Sequence, residues 1–420
     1  MPNDFERNLE KYAEVAVKVA LNVQPGQNVL IGRPAHGVYG IPIELAPLVR
    51  PIVRKAYEAG AKLVDVMWND DQLRLIKFQS APNTIEEFPT WRSDAAINAA
   101  ENGDAMLSIY AEDPDLLAGQ DIDLISKFTQ TNSKHMARYF QLVTVNNMNW
   151  AVMTAPVKGW VEKLFPDASP EQAMEKAWDV LFDICRIKLD DPVQAWRDHI
   201  TDLAKRSDYM NAKQYDALTL KSAVTDLKIG MPKNHIWTCT KMKSQNGIDF
   251  TANVPSEEIF SAPHNKRTDG YVTLTKPLNY GGSLIEDMKL TFKDGKITKV
   301  EAKKGEELAN KMLDADEGAK RLGEIALVPH SSPISQSGLV FFNTLIDENA
   351  SCHIAFGRAY RFGVKGGEKM NDEEFDAIGG NTSLIHIDSM IGSGDMDIDG
   401  ITADGQAEPV FRGGEWAFEV

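Results

Sequence analysis

Apolar residues recur along the first half of the chain in two alternating rhythms. Phe5, Leu9, Tyr12, Ala16, Val19 and Ala20 fall at helical spacing, and Pro25-Gly26 ends that pattern. "NVLIG" then predicts a short buried strand. "PIELAPLVRPIVRKAYEAG" predicts a helix closed by Gly60 despite its internal prolines, and "KLVDVMW" a second strand. "TIEE" at 84–87 has the spacing of a capping box ahead of another helical stretch. "AMLSIYA" predicts a strand, residues 122–145 a helix, and "NWAVMTAP" a further strand. In "SPEQAMEKAWDVLFDICRI", Ser169, Pro170 and Gln172 mark a capped helix start, and a last helix covers about 191–211. Strands that alternate with helices predict a mostly parallel sheet covered by helices.

From about residue 215 the rhythm shortens. Asn246-Gly247, Asp294-Gly295 and Asp404-Gly405 are hairpin dipeptides, and "MKLTF" and "KITKVE" flank the second with strand alternation. One helix, about 305–322, interrupts this β-rich stretch. The expectation is an α/β amino-terminal domain, residues 1–210, and a largely antiparallel α+β domain, residues 211–420.

Composition narrows the class. The chain has 420 residues, 43% hydrophobic and 25% charged, as a globular protein of two domains would. It contains no apolar run long enough to cross a membrane, and "MPNDFERNLEKY" has no secretory h-region. Cys185, Cys239 and Cys352 form neither a disulfide framework nor a C-x-x-C site, so the expected location is the cytoplasm. A net charge of −16 argues against nucleic acid or anionic membrane as partners.

Two motifs are decoys. "GRPAHGVY" has P-loop glycine spacing but continues with Val38 and Tyr39 where Lys and Ser/Thr are required. "DMDIDG" at 395–400 imitates an EF-hand start, but Gln406 stands at its twelfth position, and a solvated turn is expected. Nucleophilic catalysis lacks a motif. Cys352 abuts His353, but strand neighbours face opposite sides.

The acids and histidines of the second half carry more. "SLIHIDSMIG" places His386 and Asp388 two apart in an apolar strand, so both point to one face. A carboxylate buried there needs a cation or an ion pair. "TANVPSEEIFSAP" sets Glu257 beside Glu258, two acids that are a solvated turn unless a cleft holds them. "RLGEIALVP" puts Glu324 against an apolar run, and "ASCHIAFGRAY" does the same for His353, with Tyr360 seven residues on.

In order and spacing, "NVPSEEIFSAP", "RLGEIALVP", "LIDENASCHIAFGRAY" and "LIHIDSMIG" resemble the thermophilic-type dimetal aminopeptidases, the aminopeptidase T and aminopeptidase S group. "LNVQPGQNVLI" and "AYEAGAKLVDV" extend the resemblance to nearly the whole chain. The resemblance implies two divalent ions per subunit held by Glu258, Glu324, His353, Tyr360, His386 and Asp388. It also implies a homodimer and a catalytic domain whose site opens on an internal cavity. Six N/O ligands without cysteine suit zinc or cobalt, and manganese is compatible. The implied activity is removal of N-terminal residues from peptides by a metal-activated water. Glu257, next to a ligand, is the candidate general base. The competing readings are another two-metal hydrolase, of amides or phosphoesters, and a non-catalytic small-molecule binding protein.

Overall fold

The structure is a computed structural model that describes residues 3–32, 40–280 and 283–420. The P-loop-like stretch falls largely at 33–39, outside the described residues. The chain divides into two compact units. One comprises the described residues up to Ile200 with Thr240–Ser256 and Ser283. The other comprises Thr201–Cys239, Glu257–Tyr280 and Leu284–Val420.

The first unit is built on a five-stranded parallel sheet in the order Asn253–Val254, Trp150–Thr154, Ala105–Tyr110, Asn28–Ile31, Leu63–Val66. The strands Ala105–Tyr110 and Trp150–Thr154 are buried at every position, as a sheet covered on both faces requires. Helices Asp4–Val15, Ala46–Glu58, Ile122–Thr144 and Pro170–Ile184 follow the apolar periodicity. Ser169 and Gln172 close the expected capping box. The "TIEE" stretch does not cap a helix. It forms turns, and the next helix, Thr90–Glu101, starts after Pro89. Helix Asp71–Ser80 escapes the apolar pattern because Phe78 is its one buried residue.

The second unit pairs two antiparallel sheets. The larger runs Lys296–Glu301, Lys289–Lys293, Thr268–Thr273, Thr225–Gly230, Ala217–Ser222, Asp397–Ile401, Ala407–Arg412, Glu415–Trp416. The Asp294-Gly295 and Asp404-Gly405 hairpins lie in it as expected. "DMDIDG" is not the solvated turn expected of it. Its second half opens the strand Asp397–Ile401, where Asp399 pairs with Arg412. Alternation of Asp with apolar or small residues is a strand pattern, and cross-strand pairing prevails over the local turn tendency of aspartate.

The smaller sheet runs His386–Met390, His353–Gly357, Leu322–Leu327, Ile259–Ser261, Thr238–Cys239. One core joins the two sheets. Ile259, Ile325, Leu327, Ile354 and Phe356 meet Leu218, Leu220, Leu227, Ile229, Val272, Leu290 and Ile398. This alternation decides the site, because residues between those core positions must point to the opposite face of the small sheet. Among the described residues, no helix is long and apolar enough to cross a membrane.

Candidate metal centre

Three neighbouring strands bring the candidate residues into register. Glu324 pairs with Ala355, and Ala355 with Asp388. Gly357 pairs with His386, and Ala326 with His353. All of these have the parity opposite to the core, so Glu324, His353, His386 and Asp388 share one face. Ala355 and Gly357 leave room between them. Gly357 has φ +94, and a Cβ there would lie 2.3 Å from the Ile385 carbonyl. Glu258 directly precedes the strand Ile259–Ser261, whose Ile259 side chain lies in the core.

The side chains converge. His353 Nε2 lies 3.1 Å from Glu258 Oε2 and 3.7 Å from Glu324 Oε1. His386 Nε2 lies 3.7 Å from Glu324 Oε2 and 3.5 Å from Asp388 Oδ1. Most of these separations sit at or beyond the limit of a hydrogen bond. They match the edge of a metal polyhedron instead, since ligands about 2.0–2.2 Å from an ion lie roughly 3.3–3.6 Å apart in tetrahedral geometry. Two groups result, Glu258–Glu324–His353 and Glu324–His386–Asp388, each with ligand atoms within 4.8 Å of one another. Glu324 belongs to both and turns one oxygen toward each imidazole, which is the disposition of a bridging carboxylate.

The backbone prepares both imidazoles for this. His353 Nδ1 lies 2.9 Å from the Glu348 carbonyl and 3.3 Å from that of Ser351. His386 Nδ1 lies 2.6 Å from the Arg358 carbonyl. A carbonyl only accepts, so Nδ1 carries the proton and Nε2 is aimed at the acids, as outer partners of metal-bound histidines do. Buried Oε2 of Glu258 makes no hydrogen bond of regular geometry, so an acceptor is left for a cation. The residues present therefore fit divalent ions.

Electrostatics records the strain of the cluster without ions. Burial raises the Glu324 carboxyl to about 7; His353 opposes this and Asp388 adds to it. Burial works against protonation of His386, but the Asp388 and Glu324 charges outweigh it and lift the ring to about 9. His353 is also raised, by Glu258 and Glu324 against burial. Tyr360 packs edge-on to His386 with ring centres 5.0 Å apart, and burial, then Glu324 and Asp388, hold its phenol protonated.

Glu257 and Glu258 are both buried, at 5% and 4% exposure, so they are no solvated turn. The Glu257 N–H donates to Asn349 Oδ1 at 2.7 Å, and its carboxylate belongs to neither ligand group. Cys352 turns away from this chemistry. Its Sγ contacts Val328, and burial raises its thiol to about 11. Sequence reasoning missed Glu348, a buried acid whose charge reaches Asp388, Glu258 and Glu324. Its one signal was its place five residues before His353 in "ENASCH".

Comparison with known proteins agrees with this geometry. The chain is 44% identical over 419 residues to Aminopeptidase 2 of Geobacillus stearothermophilus, covering 100% of both chains. It is 38% identical over 413 residues to Aminopeptidase T of Thermus thermophilus, covering 98% of this chain and 99% of that one. The solved structure of wild-type AmpT from Thermus thermophilus superposes with a TM-score of 0.90 at 37% identity, over 99% of this chain and 100% of that one. A 2,5-dihydroxypyridine dioxygenase from Pseudomonas putida, at 13% identity and TM-score 0.51, shares the fold alone. The model of the thermophilic metalloprotease (M29) family matches residues 5–416, and the chain belongs to that family of metal-dependent peptidases.

Proposed function

We propose that the protein is an aminopeptidase that removes N-terminal residues from peptides with two divalent ions per subunit, zinc or cobalt. The observation that carries this is Glu324, shared between two ligand groups at metal-edge distances in a chain whose relatives are named aminopeptidases. Glu258 and His353 would hold one ion and His386 and Asp388 the other, with Glu324 shared by both groups and Tyr360 completing the set. Bound ions would supply a nucleophilic water at neutral pH and a Lewis acid for the scissile carbonyl. Nδ1 of each histidine stays anchored to a carbonyl, so the rings keep their aim through the cycle. Glu257 takes the proton from the attacking water and returns it to the leaving amine. Its burial and its place beside Glu258 support that role.

In this reading the catalytic domain is residues 211–420, and 1–210 form a separate α/β domain. All six candidate ligands fall after residue 257, which supports the division. The protein acts in the cytoplasm, in keeping with three widely separated cysteines that form no disulfide framework, and as a homodimer, in keeping with the family resemblance.

The test is metal removal. Dialysis against a chelator abolishes hydrolysis of an aminoacyl-p-nitroanilide, and zinc or cobalt restores it. Full activity in metal-free protein would overturn the reading.

A further inference from the structure

Glu257 and Glu258 stand just outside the ladder of the smaller sheet. The first paired residue of their strand is Ile259, which faces Leu327 on one side and Cys239 on the other. Glu258 leads into Ile259–Ser261 and His353 opens His353–Gly357, and the strand Leu322–Leu327 runs between these two. No ladder bond therefore joins the two segments directly, although Glu258 and His353 meet at 3.1 Å.

One buried side chain bridges that gap. Asn349 is 0% exposed. Its Oδ1 accepts the Glu257 N–H at 2.7 Å, and its Nδ2 donates to the Leu345 carbonyl at 3.0 Å. The two bonds need opposite ends of an amide, so neither a carboxylate nor a flipped amide makes both. The turn Glu348–Ala350 that carries Asn349 also presents the Glu348 carbonyl to His353 Nδ1 at 2.9 Å. Ser332 fixes the main chain of the same turn, its hydroxyl donating to the Asn349 carbonyl at 2.8 Å. The backbone ahead of Glu258 and the carbonyl that aims His353 are thus held by adjacent residues of one turn. An apolar residue at 349 would take these partners from the Glu257 N–H and the Leu345 carbonyl, so shape alone does not account for the amide.

We infer that Asn349 is a positioning residue of the metal centre: its amide ties the backbone ahead of Glu258 to the turn that aims His353, and so sets the spacing of the Glu258–Glu324–His353 group. The inference rests on the two-ion reading above and adds a residue from outside its six ligands.

Full-length protein stripped of metal is titrated with zinc, with calorimetry for affinity, elemental analysis for bound metal and thermal melting for stability. Wild type takes two ions per chain. Asn349→Ser, whose hydroxyl is too short to span Glu257 and Leu345, takes one ion with wild-type affinity and the other about 10–100-fold more weakly, the usual scale for losing an outer partner of a metal site. Ser332→Ala is the structural control. It removes a hydrogen bond to the same turn but leaves the Asn349 amide in place, so it melts lower and keeps both zinc affinities. Asn349→Asp gives a second reading if the serine variant does not fold. It keeps the shape and the acceptor, loses the donor to Leu345, and its added charge would by itself strengthen cation binding. One weakened ion in this variant supports the tie, and two ions at unchanged or higher affinity overturn it. If wild type binds two ions and Asn349→Ser binds both with unchanged affinity, the role of Asn349 falls and the two-ion reading stands. If Ser332→Ala loses metal as Asn349→Ser does, loosening of the whole turn accounts for the loss and the inference is overturned. If wild type binds fewer than two ions, both readings fall.

Discussion

At the residue scale, two adjacent buried acids differ in their surroundings. Glu258 belongs to a ligand group, and Glu257 precedes it with its N–H held by Asn349. Glu257→Gln keeps size and hydrogen bonding but cannot accept a proton. The expected result is a fall in kcat of roughly 10²–10⁴-fold with metal content intact and KM little changed. A rise in KM alone would mean that Glu257 holds the substrate ammonium. Unchanged kinetics would leave it a structural role. Glu324, His353, His386 and Asp388 were legible because each sits in an apolar stretch where a polar side chain needs a reason, whereas Glu258 and Tyr360 followed from the family resemblance. Glu348 was not legible in that way. Its neighbours Asp347 and Asn349 are polar too, so the local sequence resembles a solvated turn, and only folding buries it.

At the element scale, the site depends on how closely three strands approach. Gly357, opposite His386, combines φ +94 with no space for a Cβ. Gly357→Ala should cost at least about 1–3 kcal/mol from backbone strain alone, with further cost from the contact at the Ile385 carbonyl. It should also weaken metal binding, since His386 is displaced. Gly366 has φ +79 with nothing within 4 Å of a Cβ, so Gly366→Ala is the control for strain without contact. Equal melting temperatures and metal affinities for the two variants would refute the idea that the strand approach shapes the site. Long elements such as Ile122–Thr144 were readable because their apolar stripe repeats many times. Asn253–Val254 was not, since two residues carry no period. Helix Asp71–Ser80 was hidden for the opposite reason, with almost no buried face to leave a pattern.

At the scale of the whole molecule, the ligand cluster couples stability to pH and metal. Folding raises Glu324 from 4.5 to about 7 and His386 from 6.5 to about 9. Both shifts mean that the folded, metal-free protein binds more protons than the unfolded chain. Its stability therefore falls as pH rises, between about 4.5 and 7 for Glu324 and between about 6.5 and 9 for His386. Metal requires the deprotonated ligands, so its affinity rises over the same window. The melting temperature of metal-free protein should drop from pH 5 to pH 9, and the gap to the metal-loaded protein should widen. A gap that stays constant across that range would show that these groups are not linked to metal binding. The sequence by itself determined the class of each half, two hairpin turns and four polar residues that converge in the fold, Glu324, His353, His386 and Asp388. Those follow from local periodicity, turn chemistry and the cost of polar groups in apolar runs. Tertiary structure alone decided that Glu324 faces two imidazoles at once and that carbonyls of Glu348 and Arg358 aim those rings. These depend on register between strands far apart in sequence, and no local pattern encodes which residue will stand opposite which.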